Sequence, residues 1–179
     1  MGGRHLHDPD AGARHLADDA VGRALPRIIV DEIGSDEQRL QAVEIWRAAN
    51  AARRRTATDA RVRRVRDNLD TAELALLAHY GPRPAGMLLA ETYLVDGIPL
   101  PGFGHISMVF VDPALWGSHV GTEMIRDLQS RGWEGLSVWT RSDNRRAQRL
   151  YERTGFTDTD NRSTLHDGDE IMQLAWARE

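Results

Sequence analysis

Asn144-Arg145-Arg146-Ala147-Gln148-Arg149-Leu150-Tyr151-Glu152-Arg153-Thr154-Gly155-Phe156 is the stretch on which the fold turns. Ala147, Leu150 and Tyr151 stand at i, i+3 and i+4, so they share one face of a helix. Around them the chain carries arginine, glutamine and glutamate, which makes that helix amphipathic with a buried tyrosine. Gly155 stands where a helix ends in a left-handed residue, so the spacing predicts a helix over 144–154 that stops there.

Outward from this helix the chain alternates strands and turns. Leu136–Thr140 reads as a strand. Before it lies a helix reaching about Arg131, opened by Trp116-Gly117-Ser118-His119-Val120-Gly121-Thr122. Glycine lets a backbone bend until successive N–H groups point into one concavity. The helix behind adds the positive end of its dipole, and together they suit a pyrophosphate. A plain strand–helix turn would use the same two glycines. Gly104–Val111 reads as a strand ended by Asp112-Pro113, and Asp96–Phe103, with Gly97, Pro99, Pro101 and Gly102, as a loop. Glu73–His79 and Ala85–Val95 form a hairpin around Tyr80-Gly81-Pro82-Arg83.

Two helices precede that hairpin. Ser35 and Gln38, three residues apart, form a capping box for the first, which runs to about Arg53 with Leu40, Val43 and Trp46 on one side. The second, over 58–68, has Val62, Val65 and Leu69 as its stripe. Ile28, Ile29 and Val30 signal a first strand, and Phe156–Asp158 and Glu170–Trp176 read as the last two, joined by a polar turn. Runs of neighbouring strands imply antiparallel pairing, and the strand–helix–strand unit over 104–140 implies one parallel step. The expected fold is α/β of the α+β type: one domain over 26–179, with a mixed, mostly antiparallel sheet of about six or seven strands and about four helices. Residues 1–25 read as a flexible tail.

Composition removes several function classes. The chain has 179 residues, 28% charged and 41% hydrophobic, as expected of one soluble domain. Its net charge of −4 gives no pull towards nucleic acid or a membrane surface. Cysteine is absent, which excludes disulfides, thiolate metal sites and a cysteine nucleophile. All 23 basic residues are arginine, so a lysine base or Schiff base is excluded too. The seven histidines show no paired ligand spacing, and no metal is expected. With no long apolar run and a polar N-terminus, a cytoplasmic location is the expectation.

The segment Asn144–Phe156 resembles the N-x-x-A-x-x-L-Y-x-x-x-G-F signature of the GNAT superfamily of N-acetyltransferases. Val111-Asp112-Pro113 resembles the V-x-P that ends the family's fourth strand, Trp116–Gly121 is similar to its Q/R-x-x-G-x-G/A loop, and Tyr80–Gly86 resembles its turn between strands two and three. Two positions depart: Trp116 replaces Gln or Arg, and His119 replaces Gly. A non-glycine residue at 119 restricts φ to negative values or to a strained left-handed conformation.

The resemblance implies acetyl-CoA as cosubstrate, held where the fourth and fifth strands splay apart. Its pantetheine arm would pair with main chain at Val109, Phe110 and Val111. Its pyrophosphate would lie on the loop of Trp116, Gly117, Ser118, His119, Val120, Gly121 and Thr122. From the later helix Asn144 and Ala147 would meet the cofactor arm, and Arg145, Arg146 and Arg149 lie near enough in sequence to meet the 3′-phosphate, or else form a solvated helix face. Tyr151 matches the family tyrosine that protonates the leaving thiolate, and the N–H of Val109 is the candidate oxyanion contact. His105 stands six residues before Val111, where relatives often carry a glutamate base. The implied reaction is acetyl transfer to a primary amine of a small molecule. Alternatives are a protein or peptide acetyltransferase, or a non-catalytic acetyl-CoA sensor. Many relatives form homodimers. Arg53–Arg55 and the arginines over 61–66 are expected on the outer face of two helices; a nucleic-acid role for them runs against the acidic net charge. Asp167, Asp169 and Glu170 read as a solvated turn, or as an attractor for a cationic amine.

Overall fold

The computed structural model describes residues 26–179, and the tail expected over 1–25 lies outside them. Local signals account for where the helices begin. The Ser35 side chain accepts from the Gln38 N–H at 3.2 Å while Gln38 Oε1 accepts from the Ser35 N–H at 3.1 Å, which fixes the start of α1 (Asp36–Ala52). Thr58 caps α2 (Asp59–Thr71) in the simpler way, by accepting from Arg61 N–H. α1 buries Val43 and Trp46 as expected, and α2 buries Val62, Val65 and Leu69. Leu40 does not join that face. It is 56% exposed beside Arg66 and Leu69 of α2, because the buried stripe of α1 is centred on Ala42, Trp46 and Ala49, and Leu40 falls on its flank.

Seven strands form one sheet in the order β1-β2-β3-β4-β5-β7-β6. They are β1 (Ile28–Glu32), β2 (Leu74–Tyr80), β3 (Arg83–Val95), β4 (Ile98–Val111), β5 (Gly135–Arg141), β6 (Thr157–Thr164) and β7 (Glu170–Ala177). Only β4 and β5 run parallel, across the crossover through α3 (Val120–Ser130). α4 (Arg145–Arg153) follows β5. Alternation along the strands sends side chains to two cores. Leu76, Leu88, Ile106 and Val138 pack with Met124, Ile125 and Tyr151 beneath α3 and α4. Leu77, Met87 and Leu89 pack with Val43, Trp46 and Val65 beneath α1 and α2. No described helix is long and apolar enough to cross a membrane.

Two boundaries correct the sequence reading. Residues 98–103, expected in a loop, belong to β4. Asp96 and Gly97 have φ of 52° and 80°, the pair of left-handed residues that closes a two-residue hairpin, so β3 turns straight into β4. The prolines are accommodated because the ladder breaks there: the register jumps from Thr92↔Gly104 to Leu94↔Pro99, leaving Pro101 in the unpaired stretch. β6 also runs on to Thr164, well past Asp158.

α3 lies close against β3. A Cβ at Gly86 would stand 2.7 Å from Met124 Cε and 2.9 Å from Val120 Cγ1. Gly86→Val should therefore destabilise the fold by about 1–3 kcal/mol, as an overpacked core does. A lower urea midpoint with unchanged slope is the expected result; an unchanged midpoint would mean that α3 rests more loosely on the sheet.

Candidate active site

β4 and β5 are paired only from Phe103↔Gly135 to Ile106↔Val138. The cause lies on the other edge of β4. Leu89 faces Met108 but Ala90 faces Ile106, so Ser107 is an extra residue, a β-bulge that bends the strand. The bulge also resets the side-chain alternation: Ile106, Val109 and Val111 face the α3/α4 core, whereas Met108 and Phe110 face α1 and α2. Asp112 N–H donates to Ala85 O at 2.8 Å. Counting back by twos in an antiparallel ladder, Phe110 also bonds to β3, and Val111 and Val109 turn their main-chain groups towards β5. β5 has left by then. The Val111 carbonyl accepts from Trp116 Nε1 at 3.0 Å, and the Val109 groups and the Val111 N–H open into the gap.

That gap is a cleft of about 720 Å³ between β4, β5, α4 and the segment after α1. Asn144 Oδ1 accepts from Ala147 N–H at 3.3 Å and so starts α4 at the cleft edge. Gly155 ends the helix with φ of 85°, where a left-handed residue was expected. Tyr151 projects from α4 into the cleft wall, 5% exposed, its ring 5.4 Å from that of Phe156. Burial pushes its phenol well above the usual tyrosine range, with Arg53 pulling weakly the other way. Arg146 lies over the Trp116 ring, 3.6 Å from its centroid, so the tryptophan that departs from the family loop anchors a guanidinium at the cleft.

The opposite wall overturns one expectation. Arg53, Arg55 and Arg61 line the cleft and do not all lie on an outer helix face. The signal that could have found them is their place around the short connection between α1 and α2, Arg53 and Arg55 within it and Arg61 in the first turn of α2. Asp167 and Asp169 lie in a solvated turn, as expected, but their charges are engaged: Arg141 pairs with both, and Arg55 reaches Asp169 at 3.3 Å.

The glycine loop lies beyond the cleft lining, apart from Trp116. His119 adopts the left-handed conformation with φ of 64° and makes no side-chain cap. The first α-helical bond of α3 runs from Glu123 N–H to His119 O, so the N–H groups of Val120, Gly121 and Thr122 precede it and have no intrahelical acceptor. Ser118 N–H is already given to Leu115 O at 3.1 Å. Gly121 meets another demand as well: a Cβ there would stand 3.0 Å from Leu150 Cδ2, so the glycine lets α3 approach α4.

His105 lies in the paired part of β4, beside the cleft but outside its lining. Its Nδ1 is 2.9 Å from Ser137 Oγ, the Tyr93 ring centroid is 6.3 Å away, and Glu91 is its cross-strand neighbour. Burial lowers its pKa below the usual histidine value, and Glu91 opposes that shift. Gln173 Nε2 donates to Tyr93 Oη at 3.3 Å, and Asn161 Nδ2 donates to Gln173 Oε1 at 2.7 Å, which extends the polar face around His105. No sequence pattern marked Tyr93, Ser137, Asn161 or Gln173, because each comes from a different strand. No group of three metal-binding side chains occurs among the described residues.

Residues 40–156 match the profile of the Acetyltransferase (GNAT) family. No curated protein matches the chain. Among solved structures, an acetyltransferase of the GNAT family from Bacillus cereus is similar at 14% identity and a TM-score of 0.68, over 86% of this chain and 99% of that one. A ribosomal-protein-alanine N-acetyltransferase from Escherichia coli is similar at 18% identity and a TM-score of 0.63, over 84% of this chain and 94% of that one. The NatC complex bound to Gag peptide and CoA contributes a chain at 17% identity and a TM-score of 0.64, over 86% and 99%. At these identities the structures share the fold.

Two measurements test the site's backbone and electrostatics. His119→Gly should raise stability in thermal unfolding, since left-handed strain of about 1–2 kcal/mol is relieved and glycine's greater freedom in the unfolded chain offsets only part of it. A loss of stability would mean that the imidazole makes contacts worth more than the strain. His105, with its folded-state pKa depressed, adds stability that is present above about pH 6.5 and is lost as pH falls through the folded value, because the unfolded chain takes up the proton first. The stability difference between wild type and His105→Gln should therefore shrink as pH drops from about 7.5 to 5. A difference independent of pH would show that the imidazole is not held neutral.

Proposed function

Because the chain belongs to the GNAT acetyltransferase family, and so to the acyltransferases, we propose that it moves an acetyl group from acetyl-CoA to the primary amine of a small molecule by direct attack. The observation that carries this reading is the open main chain of Val109 and Val111 beside the buried hydroxyl of Tyr151. An extended amide-bearing arm matches the donor and acceptor pattern of a strand edge. Val120 to Thr122, at the start of α3, offer N–H groups to a pyrophosphate, and Arg146 with Asn144 faces the cleft from α4. When bound, acetyl-CoA supplies the thioester carbonyl that an amine attacks and the thiol that leaves.

The chain supplies the remaining chemistry. The Val109 N–H donates to the carbonyl oxygen as it gains negative charge. Tyr151, kept protonated by burial, donates to the departing sulfur. His105, kept neutral by burial, accepts the amine proton through water. A small acceptor is favoured over a protein chain because the Arg55–Asp169 bridge ties the segment after α1 to the β6–β7 turn across this face. A side-chain bridge there obstructs a groove for an extended peptide.

Tyr151→Phe keeps the ring packing and removes the proton donor. Its kcat should fall by about tenfold or more, each factor of ten being about 1.4 kcal/mol of barrier, while the Kd for acetyl-CoA stays within about twofold. A kcat within about twofold of wild type would remove Tyr151 from the reaction.

A further inference from the structure

Seven arginines line the cleft, accompanied by a single carboxylate, Asp143. Their partners sort them. Arg55 and Arg141 are neutralised by Asp167 and Asp169. Three more stand on α4, the wall assigned above to the cosubstrate, where phosphate groups would answer them. Arg53 and Arg61 remain, on the opposite wall at the end of α1 and the start of α2.

Neither meets a carboxylate. Arg61 donates to Asn50 Oδ1 at 2.9 Å and to Thr56 O at 2.6 Å, and its guanidinium lies 5.2 Å from the Trp46 ring centroid. The Arg53 side chain makes no hydrogen bond or ion pair among the described residues; its guanidinium lies 5.9 Å from the centroid of Phe110. Phe110 belongs to the α1/α2 face of β4. Arg53 is thus free to bind, at the cleft, on the side of the sheet that carries His105 of β4 and Ser137 of β5. Burial, Arg146 and Arg55 lower its pKa, so the guanidinium stands in excess positive charge in the cleft that Tyr151 also lines.

We propose that Arg53, backed by Arg61, binds a carboxylate of the acceptor, so that the amine acetylated here belongs to an amino-acid-like molecule. The inference rests on acetyl transfer taking place in this cleft. A planar guanidinium grips a carboxylate through paired N–H donors, which fixes the rest of the acceptor relative to Tyr151. The same excess of arginine aids the chemistry: nearby cations disfavour an ammonium, so the acceptor amine loses its proton more readily and can attack.

The test compares L-amino acids with their carboxamides, which keep the amine and remove the anionic group. Wild type should acetylate at least one amino acid with kcat/KM about tenfold or more above its carboxamide, the scale of a lost charge-assisted contact. Arg53→Gln should abolish that discrimination mainly through KM, and Arg53→Lys should restore part of it. A second readout needs no turnover. Calorimetry of the N-acetyl amino acid with CoA-loaded protein should detect binding in wild type and a loss of about tenfold or more in Arg53→Gln, with the Kd for CoA within about twofold. Equal activity on acids and carboxamides would overturn the proposal and leave acetyl transfer standing. A Kd for CoA that rises in Arg53→Gln, with acceptor discrimination intact, would assign Arg53 to a cosubstrate phosphate instead and also overturn it. Failure of the wild type to bind CoA or to acetylate any amine would overturn the underlying reading as well.

Discussion

β4 and β5 run side by side for four residue pairs and then part, and the hydrogen bonds they forgo govern everything around them. Main-chain groups in the middle of a sheet are normally paired, and a buried one left unpaired costs about 1–3 kcal/mol. The groups of Val109 and the Val111 N–H escape that cost only through water or a ligand with the matching pattern. One extra residue, Ser107, is enough to produce the parting, because a bulge bends its strand and shifts the phase of every side chain after it. Tyr151 from one core and Arg53 from beyond the other thereby come to the same opening.

The helices hold the gap open from both sides. α4 is pinned at its start by the Asn144 cap, and Gln148 Nε2 reaches back to Ser142 O at 2.8 Å, so the position of Tyr151 is set by backbone contacts at the end of β5. α3 is pressed between sheet and helix at two glycines, Gly86 and Gly121, where Met124, Val120 and Leu150 occupy the space of a side chain. His119 is forced left-handed at the junction that feeds α3. Strain of that kind persists where packing on either side over-determines the backbone.

A protein with 23 arginines and no lysine also builds its cleft electrostatics from one kind of cation. Guanidinium groups stack on aromatic faces and bridge carboxylates, and both uses occur here: Arg146 on Trp116, Arg61 on Trp46, and Arg55 and Arg141 on Asp169. The resulting cleft is strongly positive inside a chain whose net charge is −4, so overall charge gave no guide to the site.

The single parallel step followed from the strand–helix–strand order. The helix over 144–154, the caps at Ser35 and Gly155 and the hairpin at Gly81 were determined by sequence alone, because each depends on residues within a few positions of one another. The signature around Tyr151 and the V-x-P after β4 fixed the family for the same reason. The β3–β4 turn at Asp96-Gly97 was also local, but two prolines masked it, and their tolerance depended on a register break with another strand. Tertiary structure alone decided which arginines face the cleft, that Asp167 and Asp169 are spent on ion pairs, and that His105 meets Ser137. His105 and Ser137 are 32 residues apart, and Arg55 and Asp169 are 114 apart. Periodicity and capping act over a turn or two of chain, whereas contacts at that separation follow from strand register and from the bulge that turns β4 away from β5.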